Sequence, residues 1–95
     1  MDPVADLKQE LSLLARLLSE VGEVRWHKYV EDCRARISAG NYSGVEKLLR
    51  AYGGMGSLND VQGTSDSDHA LLQRTLSRSY ELATSIRRSR ERGDA

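Results

Sequence analysis

The run at residues 52–60 constrains the fold most, because it separates segments that have helical periodicity. Three of its residues are glycines. Glycine adopts backbone conformations with positive φ that other residues avoid, and it loses more chain entropy on folding. A stable fold that keeps these glycines therefore needs a structural or a functional reason for them. The run consists of Tyr52, Gly53, Gly54, Met55, Gly56, Ser57, Leu58, Asn59 and Asp60.

A first helix is predicted over residues 3–21. Asp2 suits the N-cap, and Pro3 suits the first helical position, where its missing N–H costs nothing. The apolar residues of this segment repeat every three or four positions and form a wide face. Such a face contacts either two helices of the same chain or one helix and a second copy, which would make a homodimer. The face consists of Val4, Leu7, Leu11, Leu14, Leu18 and Val21, widened by Leu13 and Leu17.

A second helix is predicted between Gly22 and Gly40. Its apolar stripe is narrow, and Gly40 followed by Asn41 is typical of a helix C-terminus. Cys33 lies in the stripe, so we expect a buried, unpaired thiol that packs as a small apolar side chain. The stripe consists of Trp26, Tyr29, Val30, Cys33 and Ile37.

A third, short helix is predicted with Ser43 as its N-cap. Ser43 and Glu46 have the spacing of a capping box, in which each side chain bonds the backbone amide of the other residue. Gly53 suits the left-handed conformation that often follows a helix, and we expect it to end this one. Beyond it, Ser57 and Asp60 can cap one isolated helical turn within the loop.

The last helix is predicted over about residues 67–90, after a polar connector at residues 63–68. The small and acidic residues of the connector supply an N-cap and suit the positive end of the helix dipole. The predicted core stripe of this helix is Leu72, Leu76, Tyr80, Ala83 and Ile86, with Leu71 and Leu82 at its margin.

Together these patterns predict an all-α fold. We expect a compact bundle of three to four helices, with a glycine-rich loop between the third and last helices. A chain of 95 residues buries one core, so a single domain over residues 1–92 is predicted, followed by a disordered tail at residues 93–95.

The charges and the single cysteine narrow the class of protein. The chain has 14 basic and 14 acidic residues, which argues against a general nucleic-acid binder, although Arg87, Arg88, Arg90 and Arg92 crowd the last helix. The lone cysteine allows no intrachain disulfide and fits a reducing compartment. The N-terminal segment lacks the features of a signal peptide, and Arg16 interrupts the richest apolar run. We therefore expect a cytoplasmic protein without membrane association.

The sequence shows no residues with the spacing of a catalytic or metal site. Ser57, Asp60 and His69 have the residue types of a hydrolytic triad, but their spacing does not bring them together. His27, Cys33 and His69 likewise form no close ligand pair. We expect no enzymatic activity, and neither a metal nor another cofactor.

The central loop allows three interpretations. In the first, the glycines are structural, Met55 fills a gap in the core, and Asn59 and Asp60 hold the turn through bonds to the backbone. In the second, Met55 and Leu58 are partly exposed anchors for a partner, and Asn59 and Asp60 supply polar specificity. In the third, the amides of residues 56–59 bind an anion. The glycine spacing matches neither a P-loop nor a dinucleotide-binding fingerprint.

A distinctive set of residues extends from the second helix to the central loop. Its most specific part is the sequence Gly-Gly-Met-Gly-Ser-Leu-Asn-Asp at residues 53–60. These residues resemble a family of small bacterial domains of unknown function, over about residues 10–61. The resemblance implies an all-helical bacterial domain and carries no known activity. The residues that support it are Trp26, residues 37–45, Leu48, Leu49 and residues 51–60.

We expect the domain to act by binding a protein rather than by catalysis. Small inhibitors, such as the immunity proteins of bacterial toxins, are short, cofactor-free and without catalytic residues, which fits this chain. Two alternatives stay open: a nucleic-acid-associated regulator that uses the arginine-rich last helix, and a binder of a small ligand or anion at the glycine loop. The candidate binding residues are those of the run at residues 52–60.

Overall fold

The computed structural model describes residues 2–53 and 56–93. Within these ranges the chain forms four α-helices and no strand, and a short 3₁₀ turn at Leu58–Asp60 follows the third helix. The prediction of an all-α bundle is confirmed. The helices are α1 (Pro3–Glu20), α2 (Val24–Ser38), α3 (Ser43–Arg50) and α4 (Asp66–Glu91).

α1 and α2 begin and end where local sequence rules place them. Asp2 Oδ1 accepts a hydrogen bond from the Val4 amide at 3.0 Å, and Pro3 occupies the first position of α1. Gly22 and Gly40 follow the two helices with φ of +82° and +77°. Both values lie in the left-handed region that glycine adopts without strain. The glycine at each of these two positions therefore lets the chain turn away at the end of the helix.

α1 lies in the core, in contact with both α2 and α4. Leu7, Leu11, Leu14 and Leu18 are fully buried, and each such leucine stabilises the fold by roughly 1.5–3 kcal/mol through burial of apolar area. Val4, at the N-terminal end of the predicted face, stays exposed. The wide apolar face is therefore covered mainly by two helices of the same chain.

α2 turns its predicted stripe toward the core. Val30 and Cys33 are fully buried, whereas Trp26 and Tyr29 are half-buried and pack against the core from its edge. Cys33 is unpaired, so the prediction of a buried free thiol is confirmed. Burial raises the pKa of this thiol to about 11, which keeps it protonated at neutral pH.

The capping box predicted at the start of α3 is wrong. Tyr42 already has helical dihedral angles, with φ of −59° and ψ of −22°, so Ser43 lies inside the helix instead of at its N-cap. The Asn41 side chain accepts the hydrogen bond from the Ser43 amide at 2.9 Å, and the Ser43 hydroxyl accepts one from Arg36. A local turn closed by Asn41 thus starts the helix one residue earlier than the capping-box pattern implies.

α4 begins at a side-chain cap and is the longest of the described helices. The Ser65 hydroxyl accepts a hydrogen bond from the Asp68 amide at 3.1 Å, as expected of an N-cap in the polar connector. At the other end, Gly93 follows the helix with φ of +78°. Residues 94 and 95 of the predicted tail lie outside the described residues. None of the helices in the described ranges has the length and apolar composition needed to cross a lipid bilayer.

The predicted core stripe of α4 is wrong at Tyr80, which is 43% exposed. Ser79 and Leu82 are buried in its place. Tyr80 instead lies at the margin of the core, with its ring beside that of Tyr52. The buried residues of α4 are Leu72, Thr75, Leu76, Ser79, Leu82 and Ala83.

Candidate functional site

The central loop is held by two of its own side chains. Asn59 Oδ1 accepts a hydrogen bond from the Gly53 amide at 3.3 Å and another from the Ser57 hydroxyl. Asp60 Oδ2 accepts a hydrogen bond from the Gly56 amide at 2.8 Å. Gly53 and Gly56 have φ of +87° and +72°, a conformation that strains other residues. Asn59 and Asp60 therefore act on the loop itself, as the structural interpretation predicts.

Leu58 is not an exposed anchor. Its side chain is fully buried, and its amide donates a hydrogen bond to the Ala51 carbonyl oxygen at 2.9 Å. The recognition interpretation, in which Leu58 is a partly exposed anchor, is wrong at this residue, because the Leu58 amide is bonded to the end of α3 and the side chain belongs to the core. Gly54 and Met55, which belong to the predicted binding run, lie outside the described residues.

Two of the four amides on which the anion-binding interpretation depends are already bonded. The Gly56 amide donates to the Asp60 carboxylate, and the Leu58 amide donates to the Ala51 carbonyl oxygen. An anion bound by all four amides would have to displace both acceptors, and the Asp60 carboxylate would repel it. The anion-binding alternative therefore has weaker structural support than the sequence suggested.

Two side chains, those of Gln73 and Tyr52, fasten the loop region to α4. Gln73 Nε2 lies 3.3 Å from the Val61 carbonyl oxygen and 3.5 Å from that of Asn59. The Tyr52 phenol donates a hydrogen bond to the Leu76 carbonyl oxygen at 2.7 Å. Burial raises the pKa of the Tyr52 phenol, which keeps it a neutral donor. The loop and the first half of α4 thus form one continuous surface.

Two depressions that share Leu49 in their linings lie between α3 and α4, and we call the two together the groove. Its loop half has a volume of about 590 Å³, and its arginine half has a volume of about 550 Å³. Leu49 lines both parts and marks their junction. Three of the predicted binding residues, Tyr52, Gly53 and Asn59, line the loop half, together with the exposed Tyr80.

The arginine half gathers three guanidinium groups from two helices. Arg50 comes from the end of α3, and Arg87 and Arg90 come from adjacent turns of α4. The Arg90 guanidinium lies 4.1 Å from the centroid of the Tyr42 ring, which is a cation–π contact. Arg87 Nε lies 3.8 Å from Glu91 Oε1, at the long end of ion-pair distances. This half of the groove therefore offers three cationic groups that can donate hydrogen bonds.

The arginine half is not among the sites that the sequence predicts. The sequence shows one group of arginines, Arg87, Arg88, Arg90 and Arg92, whereas a helix turns neighbouring residues to different sides. The spacing of three between Arg87 and Arg90 was the available signal, because residues at that spacing share a helix face. Arg50 could not be placed beside them from the sequence, since only the packing of α3 against α4 brings it there.

The residues with catalytic or metal-binding side chains make structural contacts. His27 Nδ1 lies 2.7 Å from the Ala15 carbonyl oxygen, so this nitrogen carries a proton and donates it. His69 Nδ1 accepts a hydrogen bond from the Gly63 amide at 3.2 Å, and Cys33 is buried in the core. Among the residues that the structure describes, no three His, Cys, Asp or Glu side chains lie close enough together to hold a metal ion.

The sequence matches the family described as a domain of unknown function, DUF6966, over residues 19–78. The match covers more than half of the chain, so the protein belongs to this family. The matched range extends from the end of α1 into α4 and includes α3 and the central loop, whereas Arg87 and Arg90 lie beyond it. No curated protein and no solved structure shows significant similarity to the chain.

Proposed function

We propose that this member of the DUF6966 family is a non-catalytic domain that binds a segment of another protein in the groove between α3 and α4. The observation that carries the proposal is Tyr80, an aromatic residue that is 43% exposed inside the groove. Tyrosine is enriched at protein interfaces, because its ring buries apolar area while its hydroxyl can stay hydrogen-bonded. Tyr80 is therefore available to a partner in a way that Tyr52, bonded to α4, is not.

The shape of the groove suits a protein segment better than a compact small molecule. Its two halves are both open, and they meet at Leu49. A ligand that occupies both must be elongated, with an apolar group at the junction and polar groups toward either end. An extended peptide or one face of a helix has this character.

The central loop takes part in this proposal as a wall of the groove. Gly53 and Asn59 line the loop half, and the Asn59 side chain is bonded to the Gly53 amide. A wall held by internal hydrogen bonds changes little when a partner binds, which lowers the entropic cost of association. The binding run predicted at residues 52–60 thus contributes mainly through Tyr52, Gly53 and Asn59.

The proposal is tested by affinity purification of partners from host extracts with wild-type and variant domains. Ser77→Arg and Tyr80→Ala alter the groove at exposed positions of α4, and Val24→Ala alters a side chain that is 59% exposed on α2. We expect a partner that the wild type and Val24→Ala recover equally and that both groove variants lose. A partner that all four proteins recover equally would show that the groove is not the binding site.

A narrower form of the proposal is that the domain inhibits a toxin, as the immunity protein of a cytoplasmic bacterial system. It is supported by the structural roles of both histidines and of the cysteine, because an inhibitor needs no catalytic side chain. The gene next to this one gives the direct test. Its product should be toxic when expressed alone, and coexpression of the wild-type domain, but not of Ser77→Arg, should restore growth.

A nucleic-acid-associated role is the second candidate, and the observation that favours it is the convergence of Arg50, Arg87 and Arg90. Binding of this kind would weaken steeply with salt, because each phosphate contact releases counterions. Fluorescence anisotropy with duplex and single-stranded DNA at low salt tests it. Binding that is lost when residues 87–95 are removed would favour this role over protein binding.

A further inference from the structure

The arginine half of the groove carries positive charge that the described carboxylates of its lining do not fully neutralise. Arg50, Arg87 and Arg90 line it opposite two carboxylates, Glu46 and Glu91, which leaves an excess of one positive charge. Arg50 is exposed and makes no hydrogen bond or ion pair with any residue in the described ranges 2–53 and 56–93. An uncompensated guanidinium in a lined depression is the feature that a ligand anion would satisfy.

The other two arginines keep their hydrogen-bond donors available. The Arg90 guanidinium lies over the Tyr42 ring, and it makes no hydrogen bond or ion pair with any residue in the described ranges. The 3.8 Å between Arg87 Nε and Glu91 Oε1 exceeds the roughly 2.7–3.2 Å of an ordinary hydrogen bond. Both groups thus line the groove with N–H donors left for a ligand.

The charge balance selects the class of anion. A nucleic acid presents a regular track of phosphates and gains affinity from many cationic contacts. Glu46 and Glu91 interrupt any such track here, and the whole chain has no net charge. An excess of one charge suits one carboxylate, and Leu49 beside it suits an apolar neighbour. Arginine pairs with carboxylates in a planar, bidentate geometry, which adds specificity.

We propose that the arginine half binds an Asp or Glu side chain of the partner segment, with the adjacent apolar side chain of that segment on Leu49. This inference rests on the proposed function, because it names the chemistry of the segment that occupies the groove. It makes the partner an acidic peptide with an apolar residue next to the acid, lying along α3 and α4 with its other end toward Tyr80.

A displayed library of random short peptides, selected against the full-length domain, tests the inference. We expect the enriched peptides to share an Asp or Glu next to an apolar residue. Affinity of the best peptide should fall at least about tenfold with Arg50→Gln or Arg87→Gln, and equally when its acid is replaced by the corresponding amide. Arg74→Gln is the matched control, because Arg74 is exposed on α4 outside the groove lining; it should bind like the wild type.

The outcomes separate this inference from the proposed function. If the enriched peptides lack an acidic residue and do not bind the Ser77→Arg variant, the proposal of an acidic segment is wrong, whereas the groove is still the binding site. Peptides unaffected by Ser77→Arg and Tyr80→Ala, or a library that yields no binder, would overturn both. DNA that binds more tightly than any peptide, and does so through Arg50 and Arg87, would replace the acidic segment with a nucleic acid.

Discussion

The Tyr52 phenol donates a hydrogen bond to the Leu76 carbonyl oxygen at 2.7 Å and so joins the segment after α3 to the middle of α4. The ring of Tyr52 also lies 5.0 Å from that of Tyr80, centroid to centroid. The two tyrosines differ in exposure, since Tyr52 is half-buried and Tyr80 is exposed. Tyr52 therefore ties the segment after α3 to α4, and Tyr80 is exposed in the groove beside it.

Tyr52→Phe should destabilise the domain by about 0.5–1.5 kcal/mol, because it removes one partly buried hydrogen bond and keeps the ring. Tyr80→Phe is the control, since its hydroxyl makes no hydrogen bond to any other described residue; its stability should match the wild type. Urea unfolding followed by circular dichroism measures both. Equal stability of the two variants would show that the bond to Leu76 does not hold the groove.

The ends of α1 and α2 could be predicted from the sequence because they depend on local rules. Asp2, Pro3, Gly22 and Gly40 act through residues within a few positions of themselves. The prediction for the start of α3 is wrong because two local patterns compete there. The Asn41 side chain, and not that of Glu46, accepts the hydrogen bond from the Ser43 amide.

The groove could not be predicted from the sequence, because it depends on the rotation of α4. The apolar periodicity of α4 favours Tyr80 as a core residue, and only the packed helix shows that Ser79 is buried instead. Arg50 meets Arg87 by the same packing. Local sequence rules indicate which residues lie on the same face of a helix, but they do not indicate which other helix packs against that face.

Gly44→Ala should destabilise the domain by about 1–3 kcal/mol, although alanine is the better helix former. A Cβ atom at Gly44 would lie 2.6 Å from the Cys33 carbonyl oxygen and 2.8 Å from Ile37 Cγ1, so α2 and α3 would have to separate. Thermal unfolding measures the effect, with the exposed Glu46→Ala on the same helix as control. A Gly44→Ala protein as stable as that control would mean that the close approach of α2 and α3 contributes little.

Ser79→Ala should leave stability unchanged or raise it by up to about 1 kcal/mol, because the buried Ser79 hydroxyl has no hydrogen-bond partner among the described residues. Thr75→Val is the matched contrast, since the Thr75 hydroxyl donates to the Leu71 carbonyl oxygen at 2.8 Å and its loss should destabilise. Both can be compared by urea unfolding. A clear loss of stability in Ser79→Ala would indicate that its hydroxyl has a partner such as a buried water.

Asp32 should make the free energy of unfolding of the domain depend on pH in the acid range. It accepts a hydrogen bond from Lys47 Nζ at 2.7 Å, which is the main cause that lowers its carboxyl pKa below the ordinary value; Arg36 Nε lies 2.8 Å away. A pKa lowered by folding stabilises the protein above the ordinary value of about 4, and this stabilisation disappears as the pH falls through the folded-state value.

Asp32→Asn should therefore be less stable than the wild type at neutral pH, by a small amount because Asp32 is half-exposed, and the difference should shrink below about pH 4. Glu81→Gln is the control, since Glu81 is 68% exposed and 3.7 Å from Arg78. Its unfolding midpoint should stay near that of the wild type at both pH values. If Asp32→Asn stays less stable than the wild type below about pH 4, the loss of stability does not come from the charge of Asp32.

The side chains of Asn59 and Asp60 decide what the central loop contributes, because each accepts a bond from a glycine amide of the loop. We expect Asn59→Ala and Asp60→Ala each to destabilise by about 1 kcal/mol, the cost of leaving that amide to water. Gln62→Ala is the control, since Gln62 is exposed and makes no hydrogen bond within the described ranges. Urea unfolding midpoints and partner recovery, measured on the same variants, separate the two roles. If the variants unfold like the wild type but do not recover the partner, these side chains contact the partner. If the variants are less stable but still bind, the side chains support the wall of the groove.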